Sequence, residues 1–156
     1  MKPGLSRLFT LASIFALIGL AFVGHRFSPL LLPKTDVGGV VETGCDLQQR
    51  ACPATLADGG RVQLSIAPRP IPALQPLQVE VVTSGIEARK VEIDFAGANM
   101  NMGYNRTQLG ATAPGRHAGE ASLPVCVSGG MTWIATVLIE TDRQRVALPF
   151  RFDSRR

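Results

Sequence analysis

Alternating apolar and polar positions dominate the chain from Arg61 onward. In the first such run, Val62, Leu64 and Ile66 alternate with polar side chains. A period of two is typical of β-strands that bury one face, and proline and glycine separate the runs. The predicted strands are Arg61–Ala67, Leu77–Thr83, Lys90–Phe95, His117–Leu123, Trp133–Thr141 and Arg145–Phe152.

This succession of short strands predicts an all-β fold. About six or seven strands with turn signals between them favour an immunoglobulin-like β-sandwich of about seven strands. Each sheet would bury one face and expose the other. We place the sandwich at residues 61–156 and interpret residues 28–60 as a linker and cysteine-containing segment, since prolines and a Gly-Gly pair interrupt it.

The first 27 residues have a different pattern. Lys2 and Arg7 precede an uncharged apolar run over residues 8–23. A basic start followed by an apolar stretch is typical of a signal sequence, and cleavage after Ala21 stays open. Because the apolar character continues past Ala21, we favour an uncleaved transmembrane helix within residues 1–27. The expected location is the bacterial inner membrane, with a single pass and the C-terminal domain in the periplasm.

Charge and motifs narrow the classes of function. The chain has 16 Lys+Arg and 12 Asp+Glu, and the four excess basic residues all precede Asp36. The remaining domain is formally neutral, so it lacks the basic face that nucleic-acid binding needs. The sequence contains no glycine-rich phosphate loop, H-E-x-x-H or C-x-x-C motif. We therefore expect no enzyme, and we interpret His117 as a surface residue of a strand.

The sulfur-containing side chains point to a specific chemistry. Apart from the initiator, the methionines are Met100, Met102 and Met131. Glycines lie next to both the Met100/Met102 segment and Met131. Met100 and Met102 have polar neighbours, unlike a typical core methionine. Together with Cys126 they would supply soft sulfur ligands, which suit Cu(I) better than zinc. The alternative is that the methionines fill core gaps and that Cys126 is a buried thiol.

The two remaining cysteines suggest a structural role. Cys45 and Cys52 have six residues between them and can close a short loop as a disulfide in an oxidising compartment. That pairing leaves Cys126 as the odd thiol. Two alternatives stay open: all three cysteines belong to one soft-metal or redox site, or the Cys45/Cys52 pair carries out thiol–disulfide exchange.

Three short segments resemble a known group of proteins. They are Met-Asn-Met-Gly at 100–103, Leu-Pro-Val-Cys at 123–126 and Gly-Met-Thr-Trp at 130–133. With the hydrophobic N-terminus they resemble the YtkA-like and FixH-like membrane-tethered bacterial proteins, over roughly residues 62–152. The resemblance implies an immunoglobulin-like sandwich. It also implies a role in copper handling, in the assembly of haem-copper oxidases or of copper pumps.

Two functions follow from these observations. The first is a membrane-anchored periplasmic protein that carries Cu(I) or assists copper loading of a membrane oxidase. Its ligands would be Met100, Met102, Cys126 and Met131, and its partner a haem-copper oxidase or a copper transporter. The second is a metal-free accessory or assembly subunit of a membrane complex, which acts through protein–protein contacts.

Overall fold

The structure is a computed structural model. It describes residues 12–24, 36–73, 75–100, 103–123, 131–142 and 144–154. The chain divides into two compact units, Met1–Lys34 and Thr35–Arg156.

The described part of the first unit is one α-helix over residues 12–24. At 1.5 Å per residue the described part of this helix is roughly 20 Å long, whereas the hydrocarbon core of a bilayer is about 30 Å thick. Within the described residues, no helix combines the length and the apolar character needed to span a membrane. The predictions of a transmembrane anchor over residues 1–27 and of a single-pass location in the inner membrane are therefore wrong.

The second unit is a closed barrel. Within the described residues its strands are β1 Asp36–Val41, β2 Cys52–Leu56, β3 Arg61–Ala67, β4 Leu77–Ser84, β5 Lys90–Gly97, β6 Arg106–Ala113, β7 Arg116–Ala121, β8 Met131–Glu140 and β9 Arg145–Ser154. Around the barrel they follow the order β1-β2-β3-β4-β7-β6-β5-β8-β9. Neighbours are antiparallel, except that β9 returns to β1 as a parallel neighbour.

Two strands close the barrel by changing partner along their length. The first half of β1 pairs with β9, and its second half, from Gly39, pairs with β2. In the same way, β6 pairs with β5 up to Leu109 and with β7 from Gly110. Gly39 permits the crossing, because a Cβ there would lie 2.6 Å from Leu148 and 2.7 Å from Leu56 side-chain atoms.

The predicted seven-stranded immunoglobulin-like sandwich is therefore wrong, although the chain is all-β. Alternation shows which face of a strand is buried, but not whether distant strands pair to close a ring. The segment interpreted as a linker, residues 28–60, contains β1 and β2. These strands escaped prediction because β1 carries two adjacent glycines and β2 is short and contains Pro53, which are weak strand signals.

The core fills the inside of the barrel. In β3, β4 and β9 buried and more exposed side chains alternate, as expected for strands with one inward face. The largest fully buried side chains are Trp133, Phe95 and Phe150. The indole Nε1 of Trp133 donates a hydrogen bond to Ser154 Oγ at 2.9 Å. This contact ties the start of β8 to the end of β9.

Candidate functional site

Strand direction places several sulfur-bearing segments at one end of the barrel, here called the sulfur end. At this end β1, β3, β5, β7 and β9 finish, and β2, β4, β6 and β8 begin. The disulfide loop, residues 42–51, connects β1 to β2 there. Met100 follows β5, and Met131 is the first residue of β8. Met102 and Cys126, which were predicted as ligands, lie outside the described residues.

The segments that carry Met100 and Met131 are neighbours. In the ladder between β5 and β8, Gly97 pairs with Trp133, and the backbone N–H of Ala98 donates to the Thr132 carbonyl at 2.9 Å. Met100 follows Ala98 by two residues, and Met131 directly precedes Thr132. The two methionines thus leave adjacent strands at the same end, as a shared site requires.

A second hydrogen bond joins the other end of the β5–β6 connection to the residues that follow β7. The side-chain amide of Asn105, just before β6, donates to the Ser122 carbonyl, just after β7, at 3.0 Å. The backbone carbonyl of Asn105 also accepts a hydrogen bond from Phe95 N–H at 3.0 Å. The β5–β6 connection is therefore held against β8 at its first residue, Ala98, and against the end of β7 at its last residue, Asn105.

The two methionines differ in exposure. The side chain of Met100 is 49% exposed, whereas Met131 is partly buried and packs against the core. Among the residues that the structure describes, no cluster of three or more His, Cys, Asp or Glu side chains could hold a metal ion. Met100 and Met131 supply the thioether sulfurs in the described part of the sulfur end.

The predicted Cys45–Cys52 disulfide is present, with a Cα–Cα distance of 5.7 Å. Cys52 is buried in the core and Cys45 is partly buried beside it. Cysteines joined in a disulfide offer no thiolate, so this structure does not support the alternative of one metal site built from all three cysteines. A disulfide is consistent with an oxidising compartment.

A groove lies between the disulfide loop and the end of β9. It encloses about 450 Å³, and its lining includes Cys45, Gln48, Arg151 and Asp153. The disulfide is thus approachable from the side of Cys45, because Cys52 is only 1% exposed. Sequence reasoning did not predict this groove, since it depends on the pairing of β1 with β9.

His117 is buried, contrary to its interpretation as a surface residue. Its side chain is 9% exposed, and its Nδ1 has no hydrogen-bond partner among the described residues. His117 shares the inward face of β7 with Gly119 and Ala121, and it pairs with the buried Val81 of β4. Burial lowers its pKa below the ordinary value of 6.5, because the interior disfavours the charged imidazolium.

This burial predicts a loss of stability in mild acid. As the pH falls below about 6.5, the unfolded chain binds a proton at His117 that the folded chain does not. The free energy of unfolding should then decrease by up to about 1.4 kcal/mol per pH unit, until the lowered pKa is reached. Urea unfolding between pH 7.5 and 5 should show this slope in the wild type and a smaller one in His117→Gln. His25→Gln changes the only other histidine and should keep the wild-type slope. Equal slopes in the wild type and both variants would show that His117 does not cause the pH dependence of stability.

Comparison with known proteins leaves the site to be interpreted from its own geometry. No family model matches the chain, and neither a curated protein nor a solved structure shows significant similarity to it.

Proposed function

We propose that this protein binds Cu(I) at the sulfur end of the barrel and acts as a carrier of the ion in an oxidising compartment. The observation that carries the proposal is the Ala98–Thr132 hydrogen bond, which brings the Met100 and Met131 segments to one place. Thioether and thiolate sulfur are the ligands that Cu(I) prefers. The Cys45–Cys52 disulfide supports the choice of compartment.

The difference in exposure between the two methionines suits a carrier. Met131 packs against the core and would hold the ion at a fixed position. Met100 is half exposed and would let an acceptor protein exchange its own ligands for those of the carrier. Met102 and Cys126 complete the predicted ligand set. Because a cysteine binds a metal as its thiolate, a contribution from Cys126 makes the affinity for Cu(I) fall in acid.

The acceptor is proposed from the resemblance of the methionine and cysteine segments to the YtkA-like and FixH-like group. That resemblance points to a haem-copper oxidase or a copper transporter. In either case the protein would supply Cu(I) as cargo, and the partner would remove the ion by ligand exchange.

The test is a Cu(I) titration of the full chain, without oxygen, in competition with a chromogenic chelator. We expect one Cu(I) per chain and an affinity at least about 10-fold lower in the double variant Met100→Leu/Met131→Leu. Removing a residue that only supports a metal ligand typically lowers the metal affinity about 10-fold, so removing two ligands should lower it at least as much. Leucine keeps the side-chain volume and removes only the sulfur, so the fold should persist.

A matched control removes an exposed side chain of the same connection without removing sulfur. Tyr104 is 79% exposed and lies between Met100 and β6. Tyr104→Leu should bind Cu(I) as the wild type does. If the double methionine variant competes for Cu(I) as well as the wild type, Met100 and Met131 are not ligands.

One observation favours the second candidate, a metal-free accessory subunit. Met100 and Tyr104 are both exposed apolar or aromatic side chains in the β5–β6 connection, and such side chains often mark contact surfaces. In that case the isolated protein would take up no Cu(I). Tyr104→Leu would then weaken co-purification with the partner complex, which the copper proposal does not require.

A further inference from the structure

Gln48 uses both ends of its side-chain amide to join separate parts of the sulfur end. Its Nε2 donates a hydrogen bond to the backbone carbonyl of Asp153 in β9. Its Oε1 accepts a hydrogen bond from the backbone N–H of Ile71, in the connection between β3 and β4, at 2.6 Å. The disulfide loop is thereby attached to two elements that are far from it in sequence.

The position of Gln48 is set by the loop around it. The Asp46 carboxylate accepts a hydrogen bond from the backbone N–H of Gln48. The Asp46 backbone carbonyl accepts hydrogen bonds from the backbone N–H groups of Gln49 and Arg50. Leu47 is 1% exposed and packs in the core. The Cys45–Cys52 disulfide closes the loop over these residues. Gln48 is therefore presented to β9 by a short, cross-linked turn.

The end of β9 that Gln48 holds is in contact with the start of β8. The carboxylate of Asp153 accepts a hydrogen bond from Thr132 Oγ1 at 2.6 Å. Ser154 Oγ donates to the backbone carbonyl of Met131 at 3.4 Å and accepts from the Trp133 indole. Consecutive contacts thus run from the disulfide loop, through Gln48 and the end of β9, to Met131.

We infer that Gln48 is a positioning residue for Met131, and that the Cys45–Cys52 disulfide controls the affinity of the sulfur end for Cu(I) through it. The inference rests on the proposed function and adds a regulatory input to the same site. With the disulfide closed, Gln48 keeps the end of β9 against Met131. With the disulfide reduced, the loop opens, this support is weakened and Met131 holds Cu(I) less firmly.

Reduction would be carried out by a dithiol protein. Its thiolate attacks Cys45 Sγ, which borders the groove, because Cys52 is 1% exposed. The Cys45–Cys52 bond breaks, and Cys52 leaves as a thiolate that takes a proton from solvent. The second thiol of the reductant then attacks the mixed disulfide. Cys45 leaves as a thiol, the reductant becomes a disulfide, and two electrons have passed to the protein.

The experiment compares neighbouring glutamines. Gln48→Ala removes the contacts to Asp153 and Ile71, whereas Gln49→Ala removes a contact within the loop, to the Asp46 carboxylate. In the chelator competition we expect about a 10-fold lower affinity for Cu(I) in Gln48→Ala, the loss typical of a group that supports a metal ligand. Gln49→Ala should match the wild type. Cys45→Ser/Cys52→Ser should lose at least as much affinity as Gln48→Ala.

A metal-free readout separates this inference from the proposed function. The chain has four methionines, so the methyl signal of Met131 can be assigned by its loss in Met131→Leu. We expect this signal to shift in metal-free Gln48→Ala and in the double cysteine variant, and to stay in place in Gln49→Ala.

Each outcome decides one part of the inference. If the wild type binds Cu(I) and Gln48→Ala binds it equally well, the positioning role is wrong and the proposed function stands. If the wild type binds no Cu(I), the proposed function fails, and an unchanged Met131 signal in Gln48→Ala would also overturn the positioning role. If Gln48→Ala loses affinity but the double cysteine variant keeps it, Gln48 positions Met131 and the disulfide does not control the affinity for Cu(I).

Discussion

Trp133→Ala is expected to lower the free energy of unfolding by about 3–5 kcal/mol, the usual cost of truncating a buried aromatic side chain. Trp133 is 1% exposed and lies among the largest buried side chains of the core. Alanine would leave a cavity and would also remove the hydrogen bond to Ser154. Because Trp133 is the only tryptophan, urea unfolding has to be followed by circular dichroism rather than by intrinsic tryptophan fluorescence.

Trp133→Phe separates packing from hydrogen bonding. Phenylalanine fills much of the same space but has no N–H to donate, while Ser154 Oγ can still donate to the Met131 carbonyl. We expect this variant to lose less than half as much stability as the alanine variant. A loss below about 1 kcal/mol in Trp133→Ala would show that the side chain is not part of a packed core.

Gly115→Ala is expected to be the second most damaging change, with a loss of about 2–5 kcal/mol. Gly115 has φ +69°, and a Cβ there would lie 2.6 Å from the Thr83 backbone carbonyl. The residue cannot easily move away, because its own carbonyl accepts a hydrogen bond from Thr83 N–H at 2.7 Å. The loss combines the cost of a left-handed backbone, about 1–2 kcal/mol, with that of overpacking, about 1–3 kcal/mol.

Gly44→Ala is the matched control for this effect. Gly44 has a similar φ of +76°, but an added Cβ would meet no described atom within 4 Å. Its variant should lose only the conformational part, about 1–2 kcal/mol. Urea unfolding of both variants at pH 7.5 measures the difference. Equal losses would show that the contact between Gly115 and Thr83 is not tight.

The alternating pattern predicted those strands whose inward face is continuously apolar. β3 has the predicted bounds, Arg61–Ala67, and β8 and β9 lie within two residues of theirs. β6 was missed because Leu109 is its only buried residue. Closure of the barrel could not be predicted, because it requires β1 to pair with β9 across more than a hundred residues.

At the candidate site, too, features set by residues close in sequence could be predicted, and those set by distant residues could not. The disulfide could be predicted from cysteine spacing, because its partners are seven residues apart. Gln48 could not be singled out, since a glutamine carries no motif and its partner Asp153 is 105 residues away. His117 was misinterpreted because its polarity indicated a surface position, whereas its place in β7 puts it on the inward face, opposite Val81 of β4.

Closure of the barrel also limits how another protein can attach to it. Recognition by strand addition, in which an extended segment of a partner continues a sheet, needs a strand with one side free along its length. Within the described residues, each of the nine strands is paired on both sides over at least part of its length. A partner of the kind proposed above would therefore dock mainly on side chains and connections. Because no described strand has a side left unpaired along its whole length, the barrel makes a poor template for fibril growth.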